Sequence, residues 1–170
     1  MALAPGKKTV ILVRGLFGFL YSRGMDSLAA KLKTDGCNVQ VWNHSAIFIA
    51  WFGNAPRIAA EVMRLIAVGQ TPILVGHSFG ANTILMAARS INASLPLLCA
   101  IDPAAQYDCS VSKNVRKALG FRQQIGAIGR GQLSPAGDPR IADILTKDPH
   151  VFIDDDTVVH DRIIAEIMAL

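Results

Sequence analysis

Thr71-Pro-Ile-Leu-Val-Gly-His-Ser-Phe-Gly-Ala-Asn82 is the stretch around which the chain can be ordered. Ile73 to Val75 is a short apolar run of strand type, Gly76-His77-Ser78-Phe79-Gly80 is a tight turn, and Ala81 to Ala88 has helical character. In a strand, turn, helix context a G-x-S-x-G match carries information, because the sharp turn holds its serine above the sheet in a strained backbone conformation. The flanking glycines let the incoming strand and the outgoing helix approach each other. The helix aims its positive end at the turn, which suits the backbone N–H of Phe79 to a developing oxyanion. Ser78 is therefore the candidate nucleophile. A purely structural Gly-Ser turn is the competing reading, and the flanking pattern argues against it.

Lys8 to Val13 suits a central buried strand and ends at Arg14-Gly15. The loop from Gly15 to Gly24 interleaves glycine with Leu16, Phe17, Phe19, Leu20 and Tyr21. Ser27 to Thr34 reads as a helix capped by Asp26 and ended by Gly36. Asn38 to Trp42 alternates as a strand. His44 to Gly53 is loop-like, its apolar and aromatic residues either packing under the sheet edge or lining an apolar site. Pro56 to Val68 is the next helix, with proline in the first turn. Leu97 to Ile101 is a further strand, closed by Asp102-Pro103. Val115 to Phe121 reads as a strand, Gly126 to Gly137 as a loop without an element, Val151 to Ile153 as the last strand, and Ile163 to Leu170 as a terminal helix. Strands alternating with helices predict an α/β fold: a doubly wound, mostly parallel sheet of about six strands, with helices on both faces.

The 170 residues are expected to form a single domain, 1–170, and the 51% hydrophobic content fits strands buried on both faces. Arg14 interrupts the first apolar run, so no signal-peptide core is expected, and no run is long enough to span a bilayer. These features point to a cytoplasmic protein without integral membrane association. Cys37, Cys99 and Cys109 lack metal-ligand spacing, and Cys99 sits in an apolar run where an inert, buried thiol is expected. Asp154-Asp155-Asp156 also lacks supporting ligands, so no metal and no cofactor are expected. Net charge is +4, with Lys113, Arg116, Lys117, Arg122 and Arg130 forming a basic block free of acids. That block is either a solvated face or a surface for an anionic partner. No nucleic-acid motif accompanies it, so nucleic acid is not an expected partner. The oligomeric state is not fixed by the sequence.

A serine hydroxyl needs a base within hydrogen-bond reach and a group to orient that base. Strand alternation points His77 away from Ser78. His44 could reach the rim, and His150 would begin the last strand at its far end. His160 lies on the strand-exit side and follows serine and acid in the order found on doubly wound sheets, so it is the expected base. For the acid, Asp102 is pinned between a buried strand and Pro103. Its competitors Asp154, Asp155 and Asp156 read as a solvated turn. The second oxyanion donor is expected from Leu16 or Phe17, after the first strand.

Arg14-Gly15-Leu16-Phe17-Gly18, Gly76-His77-Ser78-Phe79-Gly80, Asp102-Pro103-Ala104 and the late His160 together resemble the α/β-hydrolase superfamily, as a minimal lipase- or esterase-like member. The resemblance spans Lys8 to Leu170. It implies Ser78 as nucleophile, His160 as base, and oxyanion donors at Leu16 or Phe17 and at Phe79. Ile101-Asp102-Pro103-Ala104 is similar to the Leu-Asp-Pro-Ala of pancreatic-type lipases, which likewise carry the acid one strand earlier than most members. Arg14 stands where many lipases carry histidine, the two usual N-terminal strands are missing, and no cap domain is inserted. An open site beside Phe17, Phe19 and Tyr21 implies a small-molecule ester or acyl substrate. The expected activity is hydrolysis of carboxylic esters, thioesters included, through an acyl-enzyme. Acyl transfer by the same triad and a non-catalytic binding protein on the same fold are the alternatives.

Overall fold

Strands buried on both faces must be apolar on both faces, and those of this protein are arranged to use that property. A computed structural model describes residues 6–16, 22–43 and 48–170, without the side chains of 48–53. Its strands are β1 (Lys8–Val13), β2 (Asn38–Trp42), β3 (Thr71–His77), β4 (Leu98–Ile101), β5 (Ala118–Gln123) and β6 (Ile141–Thr146). They form one parallel sheet in the order β2-β1-β3-β4-β5-β6. The helices are α1 (Gly24–Thr34), α2 (Phe48–Ala67), α3 (Phe79–Arg89) and α4 (Thr157–Met168).

Alternation along β1 and β3 divides the core into two layers. Ile11, Val13 and Leu74 face α2 and α3, packing with Ile58, Val62, Leu65, Ile84 and Leu85. Val10, Leu12, Ile73 and Val75 face α1 and α4, packing with Leu28, Leu32, Ile163 and Ile167. The sheet is thus covered on both sides, as expected from the sequence. The connections from β4 to β5 and from β5 to β6 contain no helix, however, so strict alternation stops at β4.

The register aligns the strand exits. Val13 pairs with Gly76, His77 with Ile101, Ile101 with Phe121, and Gln123 with Thr146. Gly15, Ser78 and Asp102 consequently leave the sheet side by side. β1 and β3 also flank the point where the chain reverses its direction of travel across the sheet, the usual position for a ligand crevice.

Several expected elements are corrected. Val151 to Ile153 is a turn, and the last strand is β6, ten residues earlier. β5 begins at Ala118 rather than Val115. α2 starts at Phe48, so the segment read as a loop is partly helical and Pro56 lies inside the helix. Propensity yields there to a helix long enough to cover the sheet, although Pro56 forfeits one backbone hydrogen bond. α1 starts at Gly24, three residues before the expected start, with no side-chain cap, so Asp26 lies inside the first turn and pairs with Arg14. α4 starts at Thr157, where the Asp156 carboxylate accepts from Val158 N at 2.8 Å. Among the described residues, no helix is long and apolar enough to cross a membrane.

Leu74, in the centre of the sheet, is fully buried, whereas Leu145 on edge strand β6 is 50% exposed. Leu74→Ala should therefore cost about 2–5 kcal/mol in denaturant unfolding, and Leu145→Ala less than about 0.5 kcal/mol. Equal losses at the two positions would contradict this layering.

Candidate active site

Ser78 joins β3 to α3 with φ 55° and ψ −126°, a conformation that L-residues avoid unless their surroundings enforce it. A Cβ at Gly80 would strike the carbonyl oxygen of Val13, and one at Gly76 would lie 2.5 Å from the carbonyl oxygen of Gly80. Only glycine lets β1, β3 and α3 converge this closely. Ser78 N donates to Ile101 O at 2.8 Å, so the turn is also fixed to the exit of β4.

That exit carries Asp102, which is fully buried and has φ 44°. A carboxylate withdrawn from water requires several donors. Asp102 Oδ1 accepts from the N–H groups of Arg130 at 2.8 Å and Gln123 at 3.2 Å, while Oδ2 accepts from His150 Nδ1 at 2.6 Å. Gly129 must be glycine, because a Cβ there would collide with the Asp102 carboxylate and lie 2.6 Å from His150 Nδ1. On the other side, the Asn82 amide donates to Ala104 O at 3.2 Å and accepts from Ala104 N at 2.9 Å, tying α3 to the residues that follow Asp102.

With Nδ1–H committed to Asp102, His150 Nε2 carries the lone pair and accepts from Ser78 Oγ at 2.8 Å. Gln123 steadies this histidine: its Oε1 accepts from His150 N at 3.2 Å and its amide group donates to Ile128 O. Ser78, His150 and Asp102 form one continuous hydrogen-bonded line.

The histidine in that line is His150, not His160. His160 lies in α4, is buried, and donates from Nε2 to Asp154 O at 2.6 Å. Burial lowers its pKa. The correction follows from the strand: since β6 ends at Thr146, His150 emerges beyond its C-terminal end, on the rim with Ser78 and Asp102. Asp148-Pro149 directly ahead of His150 is a turn signal that could have revealed this. Gln123 and Gly129 carried no such signal. His44 and Phe17 lie outside the described residues.

The acidic run divides into separate tasks. Asp156 caps α4, and Asp154 is buried rather than solvated. Burial raises the Asp154 carboxyl to about 7, against the downward pull of the Met25 and Gly24 N–H groups at the start of α1. His77 is buried as well and held to about 3, by burial first and then by the nearby His150. Within the basic block, Lys117 pairs with Glu166 at 2.5 Å and Arg122 with Asp143 at 2.7 Å, so two of its cations already have acidic partners. Cys37, Cys99 and Cys109 are buried, free thiols, and the Cys99 thiol is pushed up by burial. Among the described residues no group of His, Cys, Asp or Glu is arranged to hold a metal ion.

Ser78 and His150 open into a cavity of about 330 Å³ whose walls include Leu16, Phe79, Ile128 and Val151. Leu16 and Phe79 thus border the same cavity as the serine. A larger depression of about 640 Å³ adjoins it through Val151 but is lined by Arg23, Asp26 and Asp155 rather than by the serine. An apolar wall beside a polar reacting group suits a substrate with an apolar portion next to its reacting centre.

No protein-family model and no curated protein matches the chain. Solved structures do. An α/β serine hydrolase without a lid from Xanthomonas campestris is 18% identical, with a TM-score of 0.72 over 98% of this chain and 84% of that one. A structure of the metagenome-derived lipolytic enzymes LipS and LipT gives 12% identity and a TM-score of 0.70 over 98% and 95%. Est1E from Butyrivibrio proteoclasticus gives 14% and 0.63 over 98% and 90%. The chain has the α/β-hydrolase fold in a minimal, six-stranded form.

The Asp154 carboxyl, raised from 3.8 to about 7, binds a proton more readily in the folded protein. Its contribution to stability is complete below the unfolded value and is lost as pH rises through about 7. Asp154→Asn cannot ionise, so its melting temperature should rise relative to wild type between about pH 5 and pH 8. A difference that stays flat across this range would show that Asp154 ionises without penalty.

Proposed function

We propose that this protein is a serine hydrolase of carboxylic esters, thioesters included, acting through an acyl-enzyme on Ser78. The observation that carries the reading is the line from Ser78 Oγ to His150 Nε2 at 2.8 Å and from His150 Nδ1 to Asp102 Oδ2 at 2.6 Å. Its support is chemical: a hydroxyl, a neutral imidazole of fixed tautomer and a buried carboxylate have the roles that nucleophilic acyl transfer requires. Lipolytic enzymes and esterases among proteins of the same fold are consistent with it.

In this scheme Ser78 Oγ bonds to the carbonyl carbon while its proton passes to His150 Nε2. The carbonyl oxygen becomes an oxyanion, received by the N–H groups of Leu16 and Phe79. Asp102 stabilises the imidazolium through Nδ1–H. As the tetrahedral intermediate collapses, the bond to the leaving oxygen or sulfur breaks and His150 returns its proton to that atom. Water then attacks the acyl-enzyme, His150 taking its proton and returning it to Ser78 as the acid is released. The acyl chain would lie along Leu16, Phe79, Ile128 and Val151, which line the cavity with the serine.

Ser78→Ala should abolish turnover of short p-nitrophenyl esters. His150→Ala should lower kcat by about a million-fold and Asp102→Asn by about ten-thousand-fold. His160→Ala should leave turnover per folded molecule near wild type. Loss of activity in His160→Ala with retention in His150→Ala would return the role of base to α4.

A further inference from the structure

A second hydrogen-bonded line runs behind the first. Gly15 N donates to Ser22 Oγ at 3.2 Å, Ser22 Oγ lies 2.7 Å from His77 Nδ1, and His77 Nε2 lies 3.0 Å from the carbonyl oxygen of His150. A carbonyl can only accept, so the His77 proton resides on Nε2. Nδ1 then offers a lone pair, and the Ser22 hydroxyl donates to it while accepting from Gly15. Each group in the chain thus has one sense of donation. Ser22 and His77 are 1% and 2% exposed, so water does not compete for these bonds.

We propose that Ser22 and His77 are positioning residues that hold the loop after β1 and the loop after β6 at a fixed spacing across Ser78. The proposal rests on the hydrolase reading, because the groups so held are the Leu16 donor and the His150 base. His77 precedes the nucleophile, so its backbone is already fixed in β3. Its side chain bonds to Ser22 and to the His150 carbonyl, and so grips the two neighbouring loops. The bond from Gly15 N to Ser22 fixes the peptide plane immediately before the one that carries the Leu16 N–H. The bond to His150 O fixes the main chain of the base. Ser22 is itself anchored, since its carbonyl accepts from Met25 N at 3.3 Å in the first turn of α1. The β6 loop presses on that same turn, because a Cβ at Gly24 would collide with Asp154 O.

Neutrality of His77 belongs to this arrangement. The charged and titratable groups facing it are His150, with ring centroids 5.0 Å apart, and Asp154, whose Oδ2 lies 3.9 Å from Nδ1; Asp102 acts at longer range. At 3.9 Å Asp154 makes no hydrogen bond to Nδ1, which Ser22 already occupies, and burial disfavours the charged form of both groups. When His150 becomes imidazolium during turnover, a neutral His77 spares it a second cation at close range.

The test pairs kinetics with spectroscopy of the intact chain. Ser22→Ala should lower kcat for p-nitrophenyl acetate about 10- to 100-fold with KM nearly unchanged, because the reacting groups are misaligned while the binding wall is intact. Ser22→Thr, which keeps the hydroxyl, should recover most of that loss. In nitrogen-15 imidazole spectra, wild-type His77 should remain the neutral Nε2–H tautomer between about pH 5 and pH 8. Wild-type kcat in Ser22→Ala, a threonine variant no faster than alanine, or a His77 that protonates in this range would overturn the proposal. If wild-type protein turns over no ester, the hydrolase reading fails, and with it the catalytic role of the relay. The spectra would still report whether the bridge exists.

Discussion

Asp102 is a carboxylate with no access to water, and the rim of the sheet is arranged around meeting its needs. An unpaired buried charge would cost several kcal/mol, enough to remove much of the stability of a domain this size. Three donors prevent that, and they come from separate parts of the chain: the exit of β5, the turn at Arg130 and the imidazole of His150. The long connections from β4 to β5 and from β5 to β6 therefore follow paths dictated by the carboxylate. Gly129 is a direct result, since the turn must pass so near Asp102 that no side chain fits. Once His150 Nδ1–H is committed to Asp102, Nε2 is directed at Ser78, and the chemistry follows from the electrostatics of one buried group.

Backbone strain gathers at the same edge. Ser78, Asp102 and Arg130 are the non-glycine residues with positive φ among those described, and all three take part in the line or in its support. Strain of this kind persists only where surrounding bonds over-determine it. Here Ser78 N and O are both occupied, by Ile101 O and by Ala81 N, while Asp102 N donates to Phe121 O. The sheet register fixes both residues before their side chains meet.

Ser78 and Asp102 were legible in the sequence because each follows a continuous apolar run that only a doubly buried strand produces, so the strand exit could be located to the residue. His150 was not, for a reason specific to edge strands. β6 is half-buried on both faces and carries Asp143, paired with Arg122, in its middle, so Ile141-Ala-Asp-Ile-Leu-Thr146 shows neither a continuous run nor a clean alternation. Val151-Phe-Ile153 imitates a strand more convincingly, yet Val151 and Phe152 are exposed there, and Val151 borders the cavity of Ser78. Displacing the strand by ten residues exchanged the roles of His150 and His160. A run of three acids suggests solvent, yet the first of them, Asp154, is buried beside the Gly24 and Met25 N–H groups at the start of α1. Ser22 carried no pattern, and His77, directed away from Ser78 by strand alternation, gains its significance only where the loops after β1 and β6 meet it.

Everything proposed for the rim depends on Ser78 being the nucleophile and on His150 activating it. The direct measurement is to react the folded protein with a fluorophosphonate and map the modified residue by peptide mass. The account predicts one phosphonyl group per chain, on Ser78, and none on the same timescale when His150 is replaced by alanine. A phosphonyl group on another residue, unreactive wild-type protein, or equal labelling of Ser78 without His150 would contradict it.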